Sequence, residues 1–222
     1  MASEFGDLVI GVVGTGMMAS AHAYRHSQIG IPVFVGSRDP AKGKEFASRI
    51  GGKCEGGSQE ELVQKANFII LAIPPTALRD FVDTHRDGLV GKGKMFVDLS
   101  VTFSRYGSPA IQPPTESDGP NWHGPYYDMV NYLRDRLNDP SSSWIKAWAN
   151  LYYMSIANNK VQPVEVAGDA AAKELAFKIL TAEGWEPLDC GGIADVPQIE
   201  TGFHPRRVKH PRHLQFNGPD HP

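Results

Sequence analysis

The chain has 222 residues, 41% of them hydrophobic and 21% charged, with a formal net charge of −3. That length and balance suit a folded protein with a sizeable core, as one domain or a compact domain plus a small lobe, and carry no basic excess of the kind that binds nucleic acid. No apolar stretch reaches the ~18–20 residues that span a bilayer, so no membrane association is expected.

Two cysteines, Cys54 and Cys190, are too few for a disulfide framework and lack metal-site spacing. Free thiols in a reducing, cytoplasmic compartment are expected. The polar opening MASEFGD reads as no secretory leader.

In chain order, the apolar run at 8–13 predicts a buried strand. It breaks into Gly14-Thr15-Gly16-Met17-Met18-Ala19, and 17–29 reads as a helix. A strand that turns on glycines into a helix brings bare backbone N–H groups against a phosphate. The first glycine permits the tight turn, the second admits a pyrophosphate, and the small third residue lets helix and strand pack closely. An ordinary structural turn is the alternative reading.

A second strand, 32–36, ends in Ser37-Arg38, with Lys42 one helical turn further on. NAD sites place an acid at this point to accept from the ribose 2′-hydroxyl. A hydroxyl and two cations suit a 2′-phosphate instead, so NADP(H) is expected over NAD(H). Solvated surface charge is the bland alternative for Arg38 and Lys42. Asp39, the nearby acid, could cap the helix predicted over 40–50.

A short helix follows at 59–66, then an apolar strand over 67–74 ending at Ala72-Ile73-Pro74, a helix over 76–85 and a strand over 94–100. The alternation predicts an α/β fold of Rossmann type: a doubly wound, mostly parallel sheet with helices on both faces. Residues 104–143 interrupt it with a long Pro/Gly/Ser-rich insertion that ends in a helix-spaced segment. Residues 144–159 return to the core, 161–168 form a strand, 169–185 a helix with Asp169 as cap, and 186–192 close the sheet. The expected organisation is one domain over 1–200 and an irregular tail over 201–222.

Linked motifs in this order resemble a known family. Gly14-Thr15-Gly16, Val35-Gly36-Ser37-Arg38, Val97-Asp98-Leu99-Ser100, Ile145-Lys146-Ala147-Trp148-Ala149-Asn150, the run Val166 to Lys173, and Pro187-Leu188-Asp189-Cys190-Gly191 carry the likeness. They resemble the deazaflavin-dependent NADP reductases, and the cytosolic oxidoreductase domains of the six-transmembrane epithelial antigen of prostate ferric reductases. The 104–143 segment is longer than that family's usual connection, and the tail is more polar and proline-rich than its apolar closing helix.

The resemblance implies hydride transfer between NADP(H) and a flavin-like or deazaflavin ring. Such chemistry needs positioning more than acid–base groups, and no catalytic residue is singled out. It places the nicotinamide near Ala72, Ile73, Pro74, Ser100 and Asn150; Asn150 could equally satisfy local backbone.

Trp148, Leu151 and Tyr152 are candidates for the substrate pocket, with Tyr153 and Met154 offering similar soft surface; ordinary core is the competing reading. Trp122, His123, Tyr126 and Tyr127 could form a lid or pack on a second subunit, and a homodimer is expected. The tail histidines at 204, 210, 213 and 221 are too irregularly spaced for a metal site. Arg206, Arg207, Lys209 and Arg212 could meet an anionic substrate. The competing functions are an imine or carbonyl reductase and a non-catalytic NADP-sensing protein.

Overall fold

A computed structural model describes residues 5–100, 128–149, 151–159 and 162–201. The elements are β1 (Ile10–Val13), α1 (Met17–Gln28), β2 (Val33–Ser37), α2 (Pro40–Ile50), β3 (Cys54–Ser58), α3 (Gln59–Lys65), β4 (Phe68–Leu71) and α4 (Pro75–Thr84). Then come α5 (Arg86–Leu89), β5 (Met95–Asp98), α6 (Met129–Leu137), β6 (Ser143–Ala147), α7 (Tyr153–Ala157), β7 (Pro163–Gly168), α8 (Ala170–Ala182) and β8 (Glu186–Asp189). A 3₁₀ turn (Ile193–Asp195) leads into α9 (Val196–Thr201).

The strands form one eight-stranded sheet in the order β3-β2-β1-β4-β5-β6-β7-β8. Every pairing is parallel except β6 with β7, where Ile145 lies opposite Gly168. The central strands IGVV and FIIL are fully buried, as expected of strands covered on both faces.

Two apolar clusters lie on the two sides. One joins Val12, Val35, Ile70, Val97 and Val166 with side chains of α1, α2, α7 and α8. The other joins Val13, Phe34, Ile69, Leu71 and Phe96 with α3, α4 and α6. This is the Rossmann-type, doubly wound fold the alternation predicted.

The helix starts follow local chemistry. Asp39 caps α2 by accepting from the Ala41 N–H at 3.0 Å, with Pro40 in the first turn. Ser58 and Glu61 form a reciprocal capping box on α3.

Asp169 flanks α8 as expected, but its carboxylate makes no cap bond. It accepts from the Trp144 N–H at 2.9 Å instead, tying β6 to the end of β7. β3, the short α5 and α9 lie outside the predicted elements, and the segment expected only to return to the core resolves into β6 and α7. The expected strand over 94–100 is shorter, ending at Asp98.

Candidate functional site

Strand order reverses between β1 and β4: the chain runs outward from β1 to β2 and β3, then returns beyond β1 to β4. At such a point the loops leaving neighbouring strands diverge and open a crevice at their carboxyl ends.

The loop after β1 is the glycine turn. Gly14 has φ +113°, and a Cβ there would lie 2.7 Å from the Ala72 carbonyl oxygen and 2.9 Å from the Ile73 methyl. Only glycine fits that turn without strain. Gly16 differs. Its φ is −87°, it stands at the N-cap of α1 without a side-chain cap, and a Cβ there meets nothing within 4 Å. The first N–H groups of α1 thus have no capping side chain, and the space over Gly16 is open.

On one side of this turn the crevice is a cavity of about 490 Å³ lined by Gly14, Thr15, Ser37, Arg38, Asp39, Lys42, Gln59 and Ile73. Arg38 and Lys42 are exposed, and neither has an ion-pair partner among the described residues. Ser37 is buried, its hydroxyl accepting from the Asp39 N–H at 3.3 Å. The Asp39 carboxylate is occupied in capping α2.

On the other side lies a cavity of about 330 Å³, mostly apolar. Gly16, Met17 and Met18 form one wall and Leu71, Ala72, Ile73 and Pro74 another, closed by Leu99, Ser100 and Tyr153. Ile73 lines both cavities, so they are two ends of one cleft with the glycine turn between them. The Ser100 hydroxyl is buried there without a hydrogen-bond partner among the described residues.

Beyond Met17 and Tyr153, which they share, a third and apolar hollow of about 430 Å³ runs between α1, α2 and α7. Ala21, Tyr24, Ile50, Met154 and Ala157 line it, with Ser20 and Arg49 as its polar members. Met17, at 63% exposure, is the most exposed large apolar side chain among the described residues, and Tyr24 and Met154 are exposed beside it.

The structure thus gathers Gly14, Thr15, Gly16, Met17, Met18, Ser37, Arg38, Lys42, Ala72, Ile73, Pro74 and Ser100 around one cleft. It does not bring the substrate-pocket candidates Trp148, Leu151 and Tyr152 there. Trp148 is 1% exposed and Leu151 is buried in the core. Trp148 sits directly after β6 with φ +55°, which turns its indole beneath α1, edge-on to His22 with ring centres 5.4 Å apart. Tyr152 is exposed and leans on Tyr153. Of that aromatic run it is Tyr153 that reaches the cleft.

Asn150, the aromatic group at 122–127 and the charged tail candidates lie outside the described residues. Leu71, Leu99 and Gln59 line the cleft without having been singled out, and Asp39, expected as a helix cap, lines it too. Gln59 opens the helix after β3, and reading β3 as a strand would have brought it to this crevice. Among the described residues no three His, Cys, Asp or Glu side chains are placed to hold a metal, and no helix is long and apolar enough to cross a membrane.

Under α1 a buried polar group adjoins Trp148. His22 Nδ1 and His26 Nε2 are 3.4 Å apart, and His26 Nδ1 lies 2.8 Å from a Glu183 carboxylate oxygen. Burial, and then the neighbouring His26, hold the His22 imidazole well below its ordinary range, so it stays neutral.

A glycine turn at the switch point of a doubly wound sheet defines the dinucleotide-binding class of α/β proteins. Residues 9–102 match the family described as NADP oxidoreductase, coenzyme F420-dependent. The match takes in under half of the chain and supports, in general terms, an NADP-dependent oxidoreductase.

Solved structures of similar fold include a hypothetical protein of Sinorhizobium meliloti, 21% identical, with TM-score 0.68 and coverage of 89% of this chain and 92% of that one. A candidate F420-dependent NADP reductase from Arthrobacter sp. FB24 is 17% identical, with TM-score 0.68 and coverage of 86% and 88%. An imine reductase from Pseudomonas sp. is 18% identical with TM-score 0.61; 90% of this chain covers 59% of that one. No curated protein matches the sequence significantly.

Proposed function

We propose that the cleft binds NADP(H) and that the protein transfers a hydride between the nicotinamide and a planar organic acceptor, a flavin or deazaflavin ring being the leading class. The observation that carries this reading is the cleft itself, cationic at one end, apolar at the other, with an uncapped helix start between them.

The residues fit the group. Open space over Gly16 leaves room for a pyrophosphate against the first N–H groups of α1. Ser37, Arg38 and Lys42 supply donors for a 2′-phosphate. The one acid lining that end, Asp39, uses one carboxylate oxygen to cap α2.

The walls from Leu71 to Pro74 and Leu99 give the other end an apolar lining suited to a ring, and the buried, unpartnered Ser100 hydroxyl beside it can turn to hydrogen-bond a polar ring substituent. When bound, the nicotinamide supplies the hydride. The chain's own contribution is orientation, the part that positioning plays in such chemistry.

The acceptor would lie against Met17 and Tyr153, where the apolar hollow meets the cleft. NADPH oxidation followed with flavins, a deazaflavin, quinones and small carbonyls tests this reading; absence of turnover with every planar acceptor would overturn the acceptor class. Imine reduction is the second reading, supported by the fold shared with imine reductases. Cyclic imines in the same assay decide between the two.

A further inference from the structure

The most deeply buried ion pair among the described residues lies beside the cleft. Lys146 and Asp98 are partners in register on β6 and β5, both side chains are fully buried, and Lys146 Nζ lies 2.7 Å from Asp98 Oδ2. A buried pair of this kind adds little net stability, since desolvation of both charges offsets their attraction, and well-packed apolar side chains would serve the core as well. Its geometry points elsewhere.

Both members reach past the strand ends to one residue. Asp98 Oδ1 accepts from the Ser100 N–H at 2.9 Å, and Lys146 Nζ donates to the Ser100 carbonyl at 2.6 Å. The backbone of Ser100 is therefore gripped from both sides. Ser100 lines the cleft with Ala72 and Pro74, and its hydroxyl is buried beside that wall without a partner among the described residues.

We propose that Asp98 and Lys146 are positioning residues that fix the Ser100 hydroxyl as a hydrogen-bonding group for the nicotinamide end of the cofactor. The inference rests on the NADP(H) reading above and deepens it. Lys146 does not touch the ligand. It acts through Ser100, and the pair's role is to remove the freedom of a chain segment just beyond a strand end, so that the hydroxyl is in place before the ligand arrives. The buried orphan hydroxyl is the sign of a missing partner, since a buried polar group without one is costly.

Two probes separate the ends of the cleft. NADPH fills both, whereas 2′,5′-ADP carries the adenosine and 2′-phosphate but no nicotinamide. The combined change Asp98→Leu with Lys146→Met removes both charges, leaving neither unpaired in the core. By calorimetric titration it is expected to bind NADPH about tenfold more weakly, the worth of one hydrogen bond, and 2′,5′-ADP as tightly as the unsubstituted protein. Ser100→Ala is expected to show the same split. Adding it to the pair is expected to weaken NADPH no further, because the three residues then act as one unit.

Unchanged NADPH affinity in the folded paired variant overturns the inference, and so does a parallel loss of both ligands. If the paired variant does not fold, the near-isosteric Asp98→Asn takes its place. NADPH binding equal to the unsubstituted protein's then overturns the inference, and loss of NADPH with 2′,5′-ADP retained supports it. If the unsubstituted protein binds neither ligand, the cofactor reading fails and this inference with it. If it binds both and only the variants behave otherwise than expected, the cofactor reading stands and the positioning role alone falls.

Discussion

Valine at position 16 should weaken cofactor binding by two orders of magnitude or so in a protein that still folds, because the two glycines of the turn are constrained by different things. At Gly14 the obstacle is the protein: φ is +113°, and a Cβ would press on the Ala72 carbonyl at 2.7 Å. At Gly16 the backbone is ordinary, with φ −87°, and a Cβ would stand in open space.

Exchanging glycine for valine at a helix N-cap costs about 1 kcal/mol of capping preference. Restricting the unfolded chain returns about 0.4–1 kcal/mol. The net change is within about 1 kcal/mol, a Tm shift of no more than about 2–4 °C for a chain of this size.

The two added methyls would occupy the space proposed for the pyrophosphate. Losing even two charge-assisted backbone bonds of about 1.5 kcal/mol each removes about 3 kcal/mol, a weakening of a hundredfold or more. Calorimetric titration with NADPH and a thermal melt on the same sample measure both quantities. A Gly16→Val protein melting within a few degrees of the parent and binding NADPH equally well would refute the reasoning. Gly14→Ala is the internal contrast. Overpacking and backbone strain of about 1–3 kcal/mol each should appear in the melt itself.

Three further outcomes are expected. Arg38→Ala should remove most of an NADPH-over-NADH preference on the order of a hundredfold, each charge-assisted bond being worth about 1.5–3 kcal/mol, with the preference falling as salt rises; equal loss of both cofactors in paired titrations would count against it. Stability should be complete above His22's ordinary value of 6.5 and fall as pH drops below it, because the unfolded chain takes up a proton that the buried imidazole, faced by His26, Glu183 and Trp148, does not. His22→Phe should flatten that fall in melts between pH 8 and 5, and equal slopes in the two proteins would sink the assignment. Light scattering should give twice the 24.3 kDa of one chain if the expected homodimer forms; a monomer at micromolar concentration would dismiss it.

Much of the fold was legible because its signals are local. The apolar run and glycines at 8–19 gave β1, the turn and α1, and Asp39-Pro40 marked the start of α2 at its true residue. Other features depend on partners far away in the chain. The strand CEGGS has no apolar alternation, since its glycines serve close packing: a Cβ on Gly56 would collide with the Gly43 backbone of α2. Periodicity cannot tell parallel from antiparallel, so the reversal at β7 was hidden.

At the cleft, the residues gathered at the strand ends were readable because the fold class fixes where strand ends meet. The aromatic run at 148–154 was not. A left-handed backbone at Trp148 turns that side chain inward and leaves Tyr153 to face the cleft, and nothing in a string of aromatic letters records such a turn.

The two outer strands of the described sheet have a bearing on how copies of this chain can meet. On β3 a newcomer strand would find two glycines and a Glu55–Lys65 ion pair, with α2 packed so close that little side-chain surface is offered. On β8 it would meet Pro187, which has no N–H to give, in register with Val164. Short, glycine-bearing or proline-bearing rims are poor templates for continued strand addition. Both outer strands of the described sheet thus disfavour growth by sheet extension in crowded solution.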